Sequence, residues 1–119
     1  MKRFDPAPFL PLTPAMFQVL VALADGEKHG YAIIKEVARR TGDTVRLHTG
    51  TLYTAIRRFV DEGLVEETSE RPDPALDDER RRYYRLTERG RAVALAEANR
   101  LEQTLAQARA KFAIKPRRG

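Results

Sequence analysis

Thr51, Thr54, Arg57 and Arg58 are spaced so that a helical period gathers them on one side of a helix, with Asp61 near its end. Small hydroxyl side chains let a helix backbone come close to another surface, and arginines beside them reach phosphate oxygens or base edges. A second cationic group follows. From Arg80 to Arg91 six arginines (80, 81, 82, 85, 89 and 91) stand against one acid, Glu88, whereas nine acids between Asp61 and Glu79 face only Arg71. Cations at phosphate spacing, beside a helix slim enough for a major groove, are what a duplex-binding surface requires. A solvated helix face also carries charge, so the reading leans on the order of the surrounding elements. Arg80-Arg81-Arg82 could equally guard a strand edge, but its place at the end of a loop between two predicted strands favours phosphate. The acidic loop tip, Asp73, Asp77, Asp78 and Glu79, counts against a wing lying deep in a groove.

Other chemistries lack their residues. The chain has no cysteine, which excludes disulfides, thiolate zinc sites and cysteine nucleophiles. Ser69 is the only serine and sits in no Gly-x-Ser-x-Gly setting, and no glycine loop is present to cradle phosphate. His29 and His48 are too far apart for a one-turn ligand pair and read as turn or cap residues. The acids of residues 61 to 79 read as a solvated loop. Neither catalysis, nor a metal, nor a cofactor is expected. Tyr31, Tyr53, Tyr83 and Tyr84 could line a pocket for a planar apolar molecule. For Tyr31 and Tyr53, each beside an apolar helix stripe, core packing is the expectation.

The elements that must hold these residues follow from periodicity. Residues 1–12, with Phe4, Pro6, Pro8, Phe9 and Pro11, form an arm of neither helical nor strand period. Thr13-Pro14 opens a helix to Ala24 whose Met16, Phe17, Val19, Leu20, Val21 and Leu23 cover most of its circumference. A second helix runs from about Gly30 to Arg40 with Ile33, Ile34, Val37 and Ala38 inward. The third spans about Gly50 to Glu62. Its Leu52, Tyr53, Ala55, Ile56, Phe59 and Val60 share one face opposite the threonines and arginines, and Gly63 stops it. Leu64–Ser69 and Arg81–Leu86 read as strands around a long loop, Tyr84 and Leu86 on one face and Tyr83 and Arg85 on the other. Thr87 then caps a final helix to about Phe112. There Ala94, Ala98, Leu101, Leu105, Ala108 and Phe112 step by 4, 3, 4, 3, 4, a heptad seam suited to self-association.

The predicted architecture is mainly α with a small β-hairpin wing: a winged helix-turn-helix over residues 13–86, a dimerisation helix over 87–112 and a basic tail over 113–119. The size agrees. A chain of 119 residues has room for one core and not for a second. Its 42% apolar content excludes a wholly disordered chain, and 22 Lys and Arg against 17 Asp and Glu give a net charge of +5, which favours a polyanion as partner. Residues 6–24 carry no charge, follow Lys2 and Arg3 and end in Ala22-Leu23-Ala24, as a signal peptide would. Pro6, Pro8, Pro11 and Pro14 interrupt the run, which argues for an internal helix and against a membrane span. Absence of cysteine suits a reducing cytoplasm.

Four short runs carry a family resemblance. His29-Gly30-Tyr31, Gly50-Thr51-Leu52-Tyr53, Glu62-Gly63-Leu64-Val65 and Tyr84-Arg85-Leu86-Thr87-Glu88-Arg89-Gly90 resemble, in order and spacing, the PadR family of bacterial transcriptional regulators. The resemblance covers about residues 13–95. It implies a winged-helix homodimer that represses transcription, often releasing double-stranded DNA when a small effector binds. It assigns Thr49 to Arg58 to the recognition helix and its first turn; on the polar face of that helix Arg57 and Arg58 are expected to read or clamp the groove, with Thr51, Tyr53 and Thr54 helping at backbone and base edges. Arg80, Arg81 and Arg82 would bind phosphates from the second wing strand, which it extends from Arg80 to Arg85. Ala94, Ala98, Leu101, Leu105, Ala108 and Phe112 would close the dimer. Thr49 and Thr54 stand where the family often has proline, so the recognition helix is expected to start differently here. A winged-helix module docking proteins through its acidic wing, and a small-ligand sensor of weak DNA affinity, are the competing readings.

Overall fold

A computed structural model of the chain describes residues 3–68 and 82–113. Helix α1 (Pro14–Ala22) starts where the Thr13 hydroxyl accepts the Met16 N–H at 3.1 Å, with proline at a position that needs no donor. Val19, Leu20 and Ala22 are buried, and Leu23 just beyond the helix joins them. Helix α2 (Gly30–Arg40) begins with His29 as its cap, Nδ1 accepting the Ala32 N–H at 3.1 Å. His29 therefore acts as the cap residue its position suggests.

Helix α3 (Thr49–Asp61) starts one residue earlier than the period indicated, at Thr49 itself, with His48 in the cap position and no side-chain bond there. Leu52, Ala55, Ile56 and Phe59 are buried while Thr51, Thr54, Arg57, Arg58 and Asp61 are exposed. Its end is a tight left-handed turn. The Leu64 N–H donates to the Phe59 carbonyl at 2.8 Å and the Gly63 N–H to Val60 at 3.1 Å, which Gly63 permits with φ of 77°.

The sheet differs from the expected hairpin. Three antiparallel strands lie in the order β1 (Lys28–His29), β3 (Tyr83–Leu86), β2 (Val65–Thr68). The long β2–β3 pair aligns Val65 with Leu86 and Thr68 with Tyr83, and β1 adds Lys28 opposite Tyr84. A two-residue strand shows no alternation, so periodicity could not reveal β1. Tyr84 is buried and Arg85 exposed, in keeping with the expected faces.

Helix α4 (Glu88–Lys111) closes the fold, with Phe112 as its C-terminal cap residue. Thr87 binds three partners: it accepts the Gly90 N–H at 3.0 Å, its hydroxyl donates to the Gly63 carbonyl at 2.7 Å, and its own N–H donates to Leu64 at 3.0 Å. The first turn of α4 is thus bonded to the turn that ends α3. Only the inner part of α4 packs on the core, through Gly90, Val93 and Glu97.

The arm lies against the same chain. After a 3-10 turn at Ala7–Phe9, the Leu12 N–H donates to Glu97 Oε2 at 2.8 Å, a carboxylate only 1% exposed that also pairs with Arg100. The Arg100 hydrogen bond holds the Glu97 carboxyl below its ordinary value, ahead of the opposing effect of burial, with the Leu12 N–H assisting. The Phe4 and Phe9 rings are 5.7 Å apart, and the Arg89 guanidinium lies 5.2 Å from the Phe4 ring.

Candidate nucleic-acid interface

Helix α3 stands as a ridge between two clefts. On one flank, a cleft of about 460 Å³ brings Thr49, Tyr53 and Arg57 of α3 together with Glu67, Arg82 and Tyr84 of the sheet. On the other, about 490 Å³ separates Thr51, Thr54 and Arg58 from Ala15, Met16 and Val19 of α1. Every α3 residue singled out from the sequence therefore lines one flank or the other. Arg82 joins them from the wing. Arg80, Arg81 and the acidic loop tip lie outside the described residues.

The cations at this face are placed by short local contacts. Arg58 Nε is 2.8 Å from Glu62 Oε1, one turn later on α3. Arg82, just before β3, lies 3.2 Å from Glu67 of β2, while Arg85, on the face of the sheet opposite Tyr84, lies 2.5 Å from Glu66. Arg57 projects from the exposed face towards the wing, over the cleft that Asp61 also lines.

Tyr53 occupies a more specific place than its helical position disclosed. It is half-buried, and an added Cβ at Gly30 would collide with its hydroxyl and come within 2.9 Å of its ring. The missing side chain at the start of α2 is what seats the Tyr53 ring. Tyr31 corrects the expectation of core packing: it is 59% exposed, with the Lys35 ammonium 4.8 Å from its ring centre. On an 11-residue helix whose buried side runs through Gly30, Ile33 and Val37, Tyr31 points away from the core.

Two members of the arginine run do other work. Arg89 covers Phe4, and Arg91 donates to the Ala24 carbonyl at 3.2 Å. The expected strand from Arg80 to Arg85 is seen, among the described residues, from Tyr83 to Leu86. The α4 seam splits as well. Ala94, Ala98 and Ala108 are half-buried, whereas Leu101, Leu105 and Phe112 are 41%, 51% and 77% exposed. Leu95, which lies off the heptad, is an exposed leucine that the seam did not include. Among the described residues no group of three or more His, Asp or Glu side chains is placed to hold a metal, and no helix is long and apolar enough to cross a membrane.

Comparison with known proteins bears on this arrangement. A transcriptional regulator from Clostridium thermocellum superposes with a TM-score of 0.68 at 26% identity, covering 84% of this chain and 92% of that one. RosR of H. salinarum gives 0.59 at 27% identity over 90% and 83%. A PadR family transcription regulator from Clostridium difficile gives 0.61 at 24% identity over 82% and 97%, a likeness of fold. An uncharacterised protein of Lysinibacillus sphaericus is 27% identical over 74 residues, and the chain spans about 65% of the length of that curated relative. The profile of the transcriptional regulator PadR-like family matches residues 19–96, a stretch that holds α2, α3, the three strands and the inner turns of α4. With that stretch forming well over half of its length, the chain belongs to the PadR-like family of transcriptional regulators.

Proposed function

We propose that this chain is a sequence-specific DNA-binding repressor acting as a homodimer on a pseudo-palindromic operator. The observation that carries this reading is the exposed ridge of α3, where Thr51, Thr54, Arg57 and Arg58 stand clear of the core beside Arg82. A helix of this width enters a major groove about 12 Å across, where arginine pairs with guanine edges. Arg57 and Arg58 read or clamp the groove, Thr49, Thr51, Tyr53 and Thr54 approach backbone and base edges, and Arg82 binds phosphate. Arg80 and Arg81, which precede it in the sequence, are assigned to phosphate too.

Support for a homodimer comes from the outer part of α4. From Leu101 onward the helix is exposed at every position except Ala108. Isolated helices shorter than about 12–15 residues are marginal in water, so a second copy is the natural cover for Leu101, Leu105 and Phe112. The small effector that the family resemblance implies has room in the 460 Å³ cleft, where it would compete with DNA.

Fluorescence anisotropy with duplex from upstream of the protein's own gene, a scrambled duplex and a salt series tests this reading. Expected is preference for the upstream duplex and a steep salt dependence, about 10³–10⁵ in affinity between 50 and 200 mM for about six to ten phosphate contacts. Arg57→Ala should cost about 1–3 kcal/mol of specific binding. Unchanged affinity and sequence preference in that variant would remove Arg57 from the site. Equal binding to both duplexes directs the search to genomic fragments, and no binding to either favours the protein-docking module. Loss of repression of a reporter in the Arg57→Ala strain separates repressor from activator.

A further inference from the structure

The two clefts beside α3 differ in their lining. The wing-side cleft carries both signs of charge, Asp61 and Glu67 with Arg57 and Arg82. The α1-side cleft, of about 490 Å³, is lined among the described residues by no acid and by one cation, Arg58. Its floor is apolar: Val19, Leu47 and Ala55 are buried, and Met16 of α1 is half-buried. Thr51 and Thr54 put hydroxyls on the α3 rim. The α3 wall runs from Gly50 to Arg58, about 12 Å at the rise of an α-helix.

Arg58 can take an anion without leaving Glu62. Its Nε donates to Glu62 Oε1 at 2.8 Å, and no other hydrogen bond holds it among the described residues, so both Nη groups keep donors for a further acceptor. Two parallel N–H donors of a guanidinium match the two oxygens of a carboxylate. A DNA phosphate could use the same donors, but it would leave the apolar floor in water. A molecule with an apolar body and an anionic end uses both. Ligand clefts of this size are built that way, with apolar walls and a few polar groups that fix orientation. The length of the α3 wall favours an extended chain as the body.

We propose that the α1-side cleft is a second ligand site, for a medium-chain carboxylate. The carboxylate sits on the Nη groups of Arg58, and the chain lies over Met16, Val19 and Leu47. Thr51, Thr54 and Arg58 are also assigned to the operator, so an occupied cleft excludes DNA. That consequence rests on the DNA-binding reading above; ligand binding itself does not.

Met16 is the only methionine besides Met1, so methyl-labelled methionine reports on the cleft floor by NMR. The probes are octanoate, octylamine and acetate, which separate the apolar body from the anion. Expected is a saturable shift of the Met16 methyl resonance with octanoate and none with acetate. Octylamine should bind at least about tenfold more weakly, and Arg58→Ala should weaken octanoate about tenfold to a hundredfold, the scale of a hydrogen bond to a charged group. Ala15→Leu extends a side chain from α1 into the cleft and should block octanoate with every α3 residue left in place.

An unmoved Met16 resonance overturns the site. So do equal responses to octanoate and octylamine, or an unchanged octanoate affinity in Arg58→Ala, an exposed position where the fold should survive. In the anisotropy assay, saturating octanoate should release the upstream duplex from wild type and not from Ala15→Leu. A duplex affinity untouched by saturating octanoate overturns the exclusion of DNA. If wild type binds no duplex at all, the DNA-binding reading fails, and the Met16 titration still decides the ligand site.

Discussion

Gly30 and Gly90 each fill a place where one methyl group would meet a neighbour. At Gly90 an added Cβ would run into the Leu64 carbonyl and sit 2.8 Å from a Leu86 methyl; at Gly30 it would strike Tyr53. One glycine seats α3's aromatic ring and the other lets α4 cross close to the turn that leads into β2. Gly90→Ala is expected to destabilise by about 1–3 kcal/mol, because the obstacle is backbone and cannot rotate away. A thermal melt checks it, and an unchanged midpoint would refute the close crossing. Gly30→Ala meets a side chain instead, so Tyr53→Phe, which removes the colliding hydroxyl, should recover part of its loss. A double-mutant cycle reads that coupling, and strict additivity would contradict the contact. The glycine motifs were legible in the sequence as a pattern, but their reason was not: Tyr53 at Gly30 and the Leu64 carbonyl at Gly90 lie more than twenty residues away along the chain.

At the scale of elements, α3 and α4 show what periodicity can and cannot deliver. The two faces of α3 were readable because burial on a helix repeats every 3.6 residues, and Leu52, Ala55, Ile56 and Phe59 obey that repeat. Strand β1 has two residues and no repeat to read. The seam on α4 was readable as spacing, yet the sequence could not say where the helix leaves its own core, which happens after Glu97. Beyond that point the exposed Leu101, Leu105 and Phe112 form the surface assigned to a second copy. Leu101→Glu combined with Leu105→Glu is expected to yield monomers, since like charges and lost apolar area oppose closure. Sedimentation measures this, and a dimeric mass for the double variant would sink the assignment. Since both residues are exposed in the single chain, the fold itself should survive the change.

Across the whole molecule, Glu97 joins the N-terminal arm to the last helix. Its carboxylate accepts from Leu12, 85 positions earlier, and no local pattern could have announced that bond. Because Arg100 and the Leu12 N–H lower its folded value below 4.5, its contribution to stability is fully present above that pH and is lost as acid carries the pH down through the folded value. Urea unfolding across pH should therefore show wild type losing stability below about pH 4.5 faster than Glu97→Gln. Parallel profiles would remove Glu97 from the acid response. Glu97→Ala, which strands the Leu12 N–H without an acceptor, should cost about 1–3 kcal/mol at neutral pH. The continuity of α4 has a further meaning. Rooted by Thr87 to the end of α3 and unbroken to Lys111, it is a rigid shaft between the reading ridge and the proposed point of closure. In such a dimer, the separation of the two ridges is a count of residues on a helix that touches no DNA. Four residues inserted after Asn99 would lengthen each shaft by about 6 Å while turning the outer stripe by only about 40°. In the proposed dimer the preferred operator spacing would then change with every reading residue left in place, which would make this helix the gauge against which half-sites are measured.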